Sequence, residues 1–321
     1  MRASARAPVL VIGRQGQVAS ALQRLAPALL PQRPLVMAGR PELDLAAPDF
    51  AERLAALLRD LQPALVINAA AYTAVDRAES EPELAMAVNG HAVGAIARAC
   101  AELGIPLFHL STDYVFDGSG EQPWAPGDLT APLGLYGASK LLGEQLLQEA
   151  VREKGLKALV LRVSWVFGQQ GANFVRTMLR LAGERDELKV VADQVGGPTS
   201  AESIARALLQ LVEPAQANIH PVRGEGAPFP WGMHHLQGQP ATSWHGFAAE
   251  IMRQAVELHL LERSPVVTPI STAAFPTPAQ RPANSRLDCS SAELELGLAL
   301  PAWREDLHEF LLAEAQPPVH P

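Results

Sequence analysis

Pro8-Val9-Leu10-Val11-Ile12-Gly13-Arg14-Gln15-Gly16-Gln17-Val18-Ala19 joins a short apolar run, a glycine turn and the opening of a helical pattern. Val18, Leu22, Leu25 and Leu29 recur at helical spacing, so residues 8–12 read as a strand and the stretch after Gly16 as an amphipathic helix. Glycines let such a turn close tightly and let backbone approach a pyrophosphate, while the helix N-terminus offers free N–H groups and partial positive charge. Ala19 stands at the third glycine position of that fingerprint and is small enough for close helix packing. An ordinary βα turn can look the same, but the first crossover of a doubly wound sheet is where dinucleotides sit.

Outward from that unit the pattern repeats. Apolar strands are expected near residues 35–38, 64–68, 106–110 and 158–163, separated by helical stretches at 50–61, 83–103 and 140–153. Such alternation implies an α/β fold, a Rossmann-type doubly wound parallel sheet covered on both faces. After about Gly168 the rhythm changes: helices are expected at 172–184, 201–212, 244–261 and the C-terminal end, with proline-rich connections. The expected organisation is a dinucleotide-binding domain over 1–168, joined by part of 200–242, and a smaller, mostly helical substrate lobe over 169–321. Residues 214–230, rich in Pro, Gly and Ala, read as an exposed loop, and 268–282, with four prolines, as a segment crossing the surface.

A chain of 321 residues, 48% hydrophobic, can bury a full core and stands at the length where one core divides into lobes. The net charge of −8 with no run of like charge gives no electrostatic footprint for nucleic acid or an anionic membrane surface. Cys100 and Cys289 match no metal-ligand spacing and no disulfide scaffold, so a reducing cytoplasm fits. No uninterrupted apolar stretch is long enough for a bilayer span, and a soluble protein is expected.

Chemistry enters at three places. Gly39-Arg40 ends the second strand where an NAD site usually carries an acidic residue. Arg40 can pair with a 2′-phosphate, favouring NADPH with NADH possible, or can be a solvated loop arginine. Tyr136 and Lys140, four apart at a helix start, share one face; a nearby ammonium favours the phenolate and lowers the phenol toward neutral pH. Thr112 follows the strand at 106–110, where a hydroxyl can hydrogen-bond a substrate carbonyl and steady an oxyanion. The three form a coherent set of polariser, acid and tuner. Asp113 can contact sugar hydroxyls or fix a turn, and Asp117 reads as a turn residue.

Val66-Ile67-Asn68-Ala69-Ala70-Ala71-Tyr72-Thr73-Ala74-Val75-Asp76, Val88-Asn89, Ser111 to Gly118, and Tyr136 to Lys140 with Gly143-Glu144 together resemble the dTDP-4-dehydrorhamnose reductases. Arg162 to Gly168, Asn173-Phe174, Asp193-Gln194 with Gly197-Pro198-Thr199, Ser243-Trp244 and Arg281-Pro282 with Asn284-Ser285 extend the resemblance over nearly the whole chain. It implies NADPH-dependent reduction of the 4-keto group of dTDP-4-dehydro-L-rhamnose, with Thr112, Tyr136 and Lys140 catalytic. It further implies that Gly13, Gln15, Gly16, Gln17 and Val18 hold the pyrophosphate, Asp44 and Leu45 lie by the adenine, and Ala69, Ala70 and Tyr72 border the cofactor. Trp165 would border the hexose, its flat apolar face suiting the C–H side of a deoxysugar; a core aromatic is the plainer reading.

Departures from the pattern are Ala19 for glycine, Val163 for threonine, His245 for tyrosine and a longer loop at 214–230. Some members dimerise through a metal held by glutamates; Glu202 fits one such place, but Ala21 stands where a first-helix ligand would be, so no metal is expected. The nucleotide sugar is the expected partner, with nucleic acid and membrane excluded and the chain a monomer or homodimer. Other readings are a different nucleotide-sugar reductase or epimerase on the same scaffold, or a non-catalytic NADP-binding regulatory subunit.

Overall fold

Strand β1 (Val9–Ile12) is buried at every position, and its alternating side chains divide between two cores. Val9 and Val11 face helix α1 (Gln17–Leu29) and the helix Ala201–Ala217; Leu10 and Ile12 face the helices Phe50–Leu61, Pro82–Leu103 and Leu135–Lys154. Burying each such side chain stabilises the sheet by about 2 kcal/mol, which is why a strand of four residues suffices. The computed structural model describes residues 6–315. In it β1 joins β2 (Leu35–Ala38), β3 (Leu65–Asn68), β4 (Leu107–Thr112), β5 (Ala158–Val163) and β6 (Gly232–His235) in one parallel sheet. The order β6-β5-β4-β3-β1-β2 makes the chain reverse direction between β1 and β3. A crevice opens outside the strand ends at such a reversal, and this is where ligands bind in open α/β sheets.

A third core lies apart from the sheet. Phe174–Glu184, Trp244–Glu257 and Trp303–Ala315 enclose Phe167, Phe247, Ile251, Trp303 and Phe310, with a parallel ribbon of Glu187–Val191 and Val266–Ile270 on the side. The helix Ala201–Ala217 and β6 return to the sheet, and Leu296 and Leu298 pack with them there. Between the two bodies, Val195–Gly196 pairs with Thr242–Ser243 and with Asn284–Ser285.

Three expectations need correction. Residues 214–230 are not wholly an exposed loop: the helix runs through Pro214 to Ala217, and Ala215, His220 and Phe229 are buried. Pro214 forfeits one intrahelical bond, but the apolar contacts of Leu211, Val212 and Ala215 carry the helix past it. The start of 268–282 is strand rather than surface crossing, because Pro269 lies in a two-stranded ribbon, where a residue without an N–H is tolerated. The helix Pro82–Leu103, which contains a π turn at Ala87–His91, is by length and composition able to span a bilayer. Its apolar face is instead spent on the sheet, through Ala92, Val93, Ile96, Ala97 and Cys100.

Candidate active site

The glycine turn is built for a close backbone approach. Gly13 has φ of 127°, which side-chain-bearing residues rarely adopt, and a Cβ there would lie 3.3 Å from the backbone of Ala69 and Ala70. Gly16 caps α1 in extended conformation, no side chain caps the helix, and its first turn carries no acid. The N–H groups of that turn are thus left to an anion at the mouth of the β1/β3 crevice. Gln15 is exposed, Val18 is buried, and Gln17 accepts a hydrogen bond from Asn173 Nδ2 at 3.4 Å, tying the turn to the second body.

Ala69 and Ala70 are half-buried beyond β3. Tyr72 is fixed at its backbone N–H and C=O by the Asn89 side chain (2.8 and 2.9 Å), while its hydroxyl donates to Glu81 at 2.7 Å. Arg40 is exposed at the end of β2. Arg14, to which the sequence reading gave no role, lies against Gly39 and pairs with Glu42 at 2.5 Å. Asp44 accepts from Ala46 N–H at 3.0 Å in a local turn, and Leu45 packs on the core beneath. The residues of this crevice fit a nicotinamide dinucleotide: a Cβ-free turn, free helix N–H groups and local positive charge.

The reducing cluster lies across the crevice. Thr112 ends β4, its hydroxyl donating to Asp113 Oδ1 at 3.1 Å and accepting from Tyr114 N–H at 3.3 Å. Tyr136 is in the first turn of Leu135–Lys154, several residues earlier than the helix was expected to begin, and its phenol neighbours the Thr112 hydroxyl. Gly137 makes this possible: a Cβ there would come within 2.2 Å of the Tyr114 carbonyl. Tyr114 packs edge-on against Tyr136, with centroids 5.3 Å apart. Arg281 bonds the Ala279 carbonyl (3.2 Å) and Asp76 (2.8 Å), pinning the crossing segment beside the site.

The electrostatics differ from expectation. Burial pushes the Tyr136 phenol up to about 12, against a smaller pull downward from Thr112. Lys140 turns its Nζ to the Leu110 carbonyl, donating at 2.7 Å, and burial pushes the ammonium down to about 8 against the opposing charge of Glu144. Burial likewise raises Asp113 to about 6, opposed by the neighbouring hydroxyls of Ser285 and Thr112, and its Oδ2 has no hydrogen-bond partner among the described residues.

Trp165 lies half-buried at the junction of the two bodies with φ of 47°, a strained conformation for a bulky residue. Its ring stacks on Trp244, centroids 3.7 Å apart and 11° from parallel, so one indole face is covered; a Cβ on Gly196 would come within 2.8 Å of the same ring. Trp244 carried no assigned role in the sequence reading. Glu202 pairs with Arg24 at 2.5 Å.

The chain matches the RmlD substrate binding domain family over residues 7–316. A dTDP-4-dehydrorhamnose reductase of Burkholderia thailandensis is 46% identical, covering 92% of this chain and 95% of the relative. Its counterpart from Escherichia coli K12 is 40% identical over 94% and 96%. Among solved structures, dTDP-4-dehydrorhamnose reductase of Bacillus anthracis in complex with NADP superposes with a TM-score of 0.82 at 31% identity, over 95% of this chain and 99% of that one. A UDP-glucose 4-epimerase from Brucella ovis, 20% identical with a TM-score of 0.69 over 91% and 93%, shares the fold. With its glycine turn, crevice and tyrosine-lysine helix, this chain belongs to the dTDP-4-dehydrorhamnose reductase family of NAD(P)H-dependent oxidoreductases.

Proposed function

We propose that the protein reduces the 4-keto group of dTDP-4-dehydro-L-rhamnose, with NADPH preferred and Tyr136 as the proton donor. The observation that carries this reading is the juxtaposition of the Thr112 hydroxyl and the Tyr136 phenol at the strand ends beside the dinucleotide crevice. When bound, the nicotinamide supplies the hydride. Thr112 and Tyr136 hold the substrate carbonyl oxygen, and the negative charge that grows there draws the phenolic proton from Tyr136 Oη. Because burial keeps that phenol protonated at neutral pH, the group is in the acid form that reduction requires. Lys140 places a cation within one helical turn of the phenol, and Asp113 lies within reach of a neighbouring hydroxyl of the sugar. The exposed face of Trp165, backed by Trp244, offers the hexose an apolar wall. Arg40 and Arg14 favour a 2′-phosphate at the end of β2.

Steady-state turnover of dTDP-4-dehydro-L-rhamnose with NADPH and with NADH tests this reading. The expected result is reduction with a kcat/KM higher for NADPH. Tightly retained NAD after purification, with no turnover of the keto sugar, contradicts it and favours an epimerase.

A further inference from the structure

Below the tyrosine and lysine, the same helix carries a third group on the same face. Tyr136, Lys140 and Glu144 follow one another at intervals of four along Leu135–Lys154. Glu144 is met by Arg162 from β5 in a two-pronged ion pair, Nε to Oε1 at 2.9 Å and Nη2 to Oε2 at 2.6 Å. Both side chains are almost wholly excluded from solvent, at 3% and 2% exposure. Arg162 Nη1 also donates to the Pro126 carbonyl at 3.3 Å and faces His235 Nε2 at 3.4 Å, and its plane lies over the Phe116 ring. On β5, Arg162 stands opposite Ser111 of β4, one residue before Thr112.

We propose that the Glu144–Arg162 pair is a positioning pair for the reduction: it fixes the tyrosine-lysine face against the sheet and holds Lys140 as an ammonium. The proposal rests on the reading above, in which Lys140 is part of the reducing cluster. Packing alone does not call for such a pair, since two aliphatic side chains of similar volume commonly serve a core as well or better. What they cannot supply is charge. Lys140 is buried with only a carbonyl as hydrogen-bond partner among the described residues, and desolvation drives it toward the neutral amine.

The groups around Lys140 leave Glu144 as its anion. On its own helix these are Tyr136, held neutral by burial, and Glu144. From β4 and its end come His109, which burial drives well below its usual range, and Asp113, which sits beside Thr112 rather than Lys140. From β5 comes Arg162 itself, and beyond it on β6 His235, pushed down to about 3. Both imidazoles are therefore neutral at working pH, and Glu144 is the group whose charge opposes desolvation of the ammonium. Arg162 supplies the counter-charge that keeps a carboxylate acceptable in that core.

The chain contains four lysines, Lys140, Lys154, Lys157 and Lys189, so the side-chain signals of protein labelled at lysine Cε are few enough to follow one by one. The Lys140 signal is identified by its loss in Lys140→Arg. In the wild-type protein its titration midpoint is expected near pH 8. In Glu144→Gln, and in the apolar pair Glu144→Leu with Arg162→Met, the midpoint is expected to move down by about one unit. The alkaline limb of kcat/KM should move with it, even where the apolar pair restores the thermal midpoint of unfolding. A purely structural pair predicts instead that the apolar replacement restores both stability and the wild-type Lys140 midpoint. An unchanged midpoint in either folded variant overturns the proposal. Because the midpoint is read without substrate, a wild-type protein that failed to reduce the keto sugar would defeat the proposed function while leaving this test intact.

Discussion

The two walls of the crevice are made of different materials. The β1/α1 wall binds through backbone: a glycine at positive φ, an uncapped helix end and little side-chain chemistry. The opposite wall is made of buried side chains whose protonation is set by desolvation and by one another. A backbone-built wall is intolerant of an added Cβ and indifferent to pH. A side-chain wall tolerates shape changes better than the loss of one proton or one charge.

The largest effect expected from this contrast is on the side-chain wall. Tyr136→Phe keeps the ring against Tyr114 and removes the proton, so kcat should fall by about 10²–10⁴ with little change in cofactor KM. A variant retaining wild-type kcat would remove the distinction between the walls. On the backbone wall, Gly13→Val meets both the positive φ and the Ala69 and Ala70 backbone. Strain of about 1–3 kcal/mol should weaken cofactor affinity by about tenfold or more, measured by fluorescence titration with NADPH, and the loss should be the same at pH 6 and pH 9.

The pH profile sharpens the contrast further. Burial pushes Lys140 down to about 8 and Tyr136 up to about 12, so Lys140 is expected to lose its charge as pH rises through about 8. The account therefore expects kcat/KM to decline above about pH 8, with the phenol still protonated there. A plateau reaching pH 10 would show that the lysine charge is not used. The smallest effect expected is on the second body: Trp244→Ala removes a stack worth about 0.5–1.5 kcal/mol, raising the sugar KM by about two- to tenfold with kcat nearly unchanged.

How much of this was legible depended on the same contrast. The glycine turn, β1 and the strand near 158–163 are written in local spacing, because a strand buried on both faces reads as a nearly continuous apolar run. Tyr136, Lys140 and Thr112 were legible as residue types. Their electrostatics were not, because the direction of a pKa depends on burial, and Lys140 turns toward Leu110 in three dimensions. Pro214 and Pro269 misled because tertiary packing and an outer strand position tolerate a residue that local rules treat as a breaker. The π turn at Asn89, the Trp165–Trp244 stack and the Glu144–Arg162 pair join residues far apart in the chain or depend on irregular backbone, and no spacing announces them.

The central claim is that hydride reaches the carbonyl carbon of the sugar while Tyr136 protonates its oxygen. Turnover with NADPH deuterated on the nicotinamide C4, followed by NMR of the product, addresses it most directly. The account predicts deuterium at C4 of the product hexose, at a rate that collapses in Tyr136→Phe. Product without deuterium at C4, or labelled product formed equally fast by Tyr136→Phe, would contradict it.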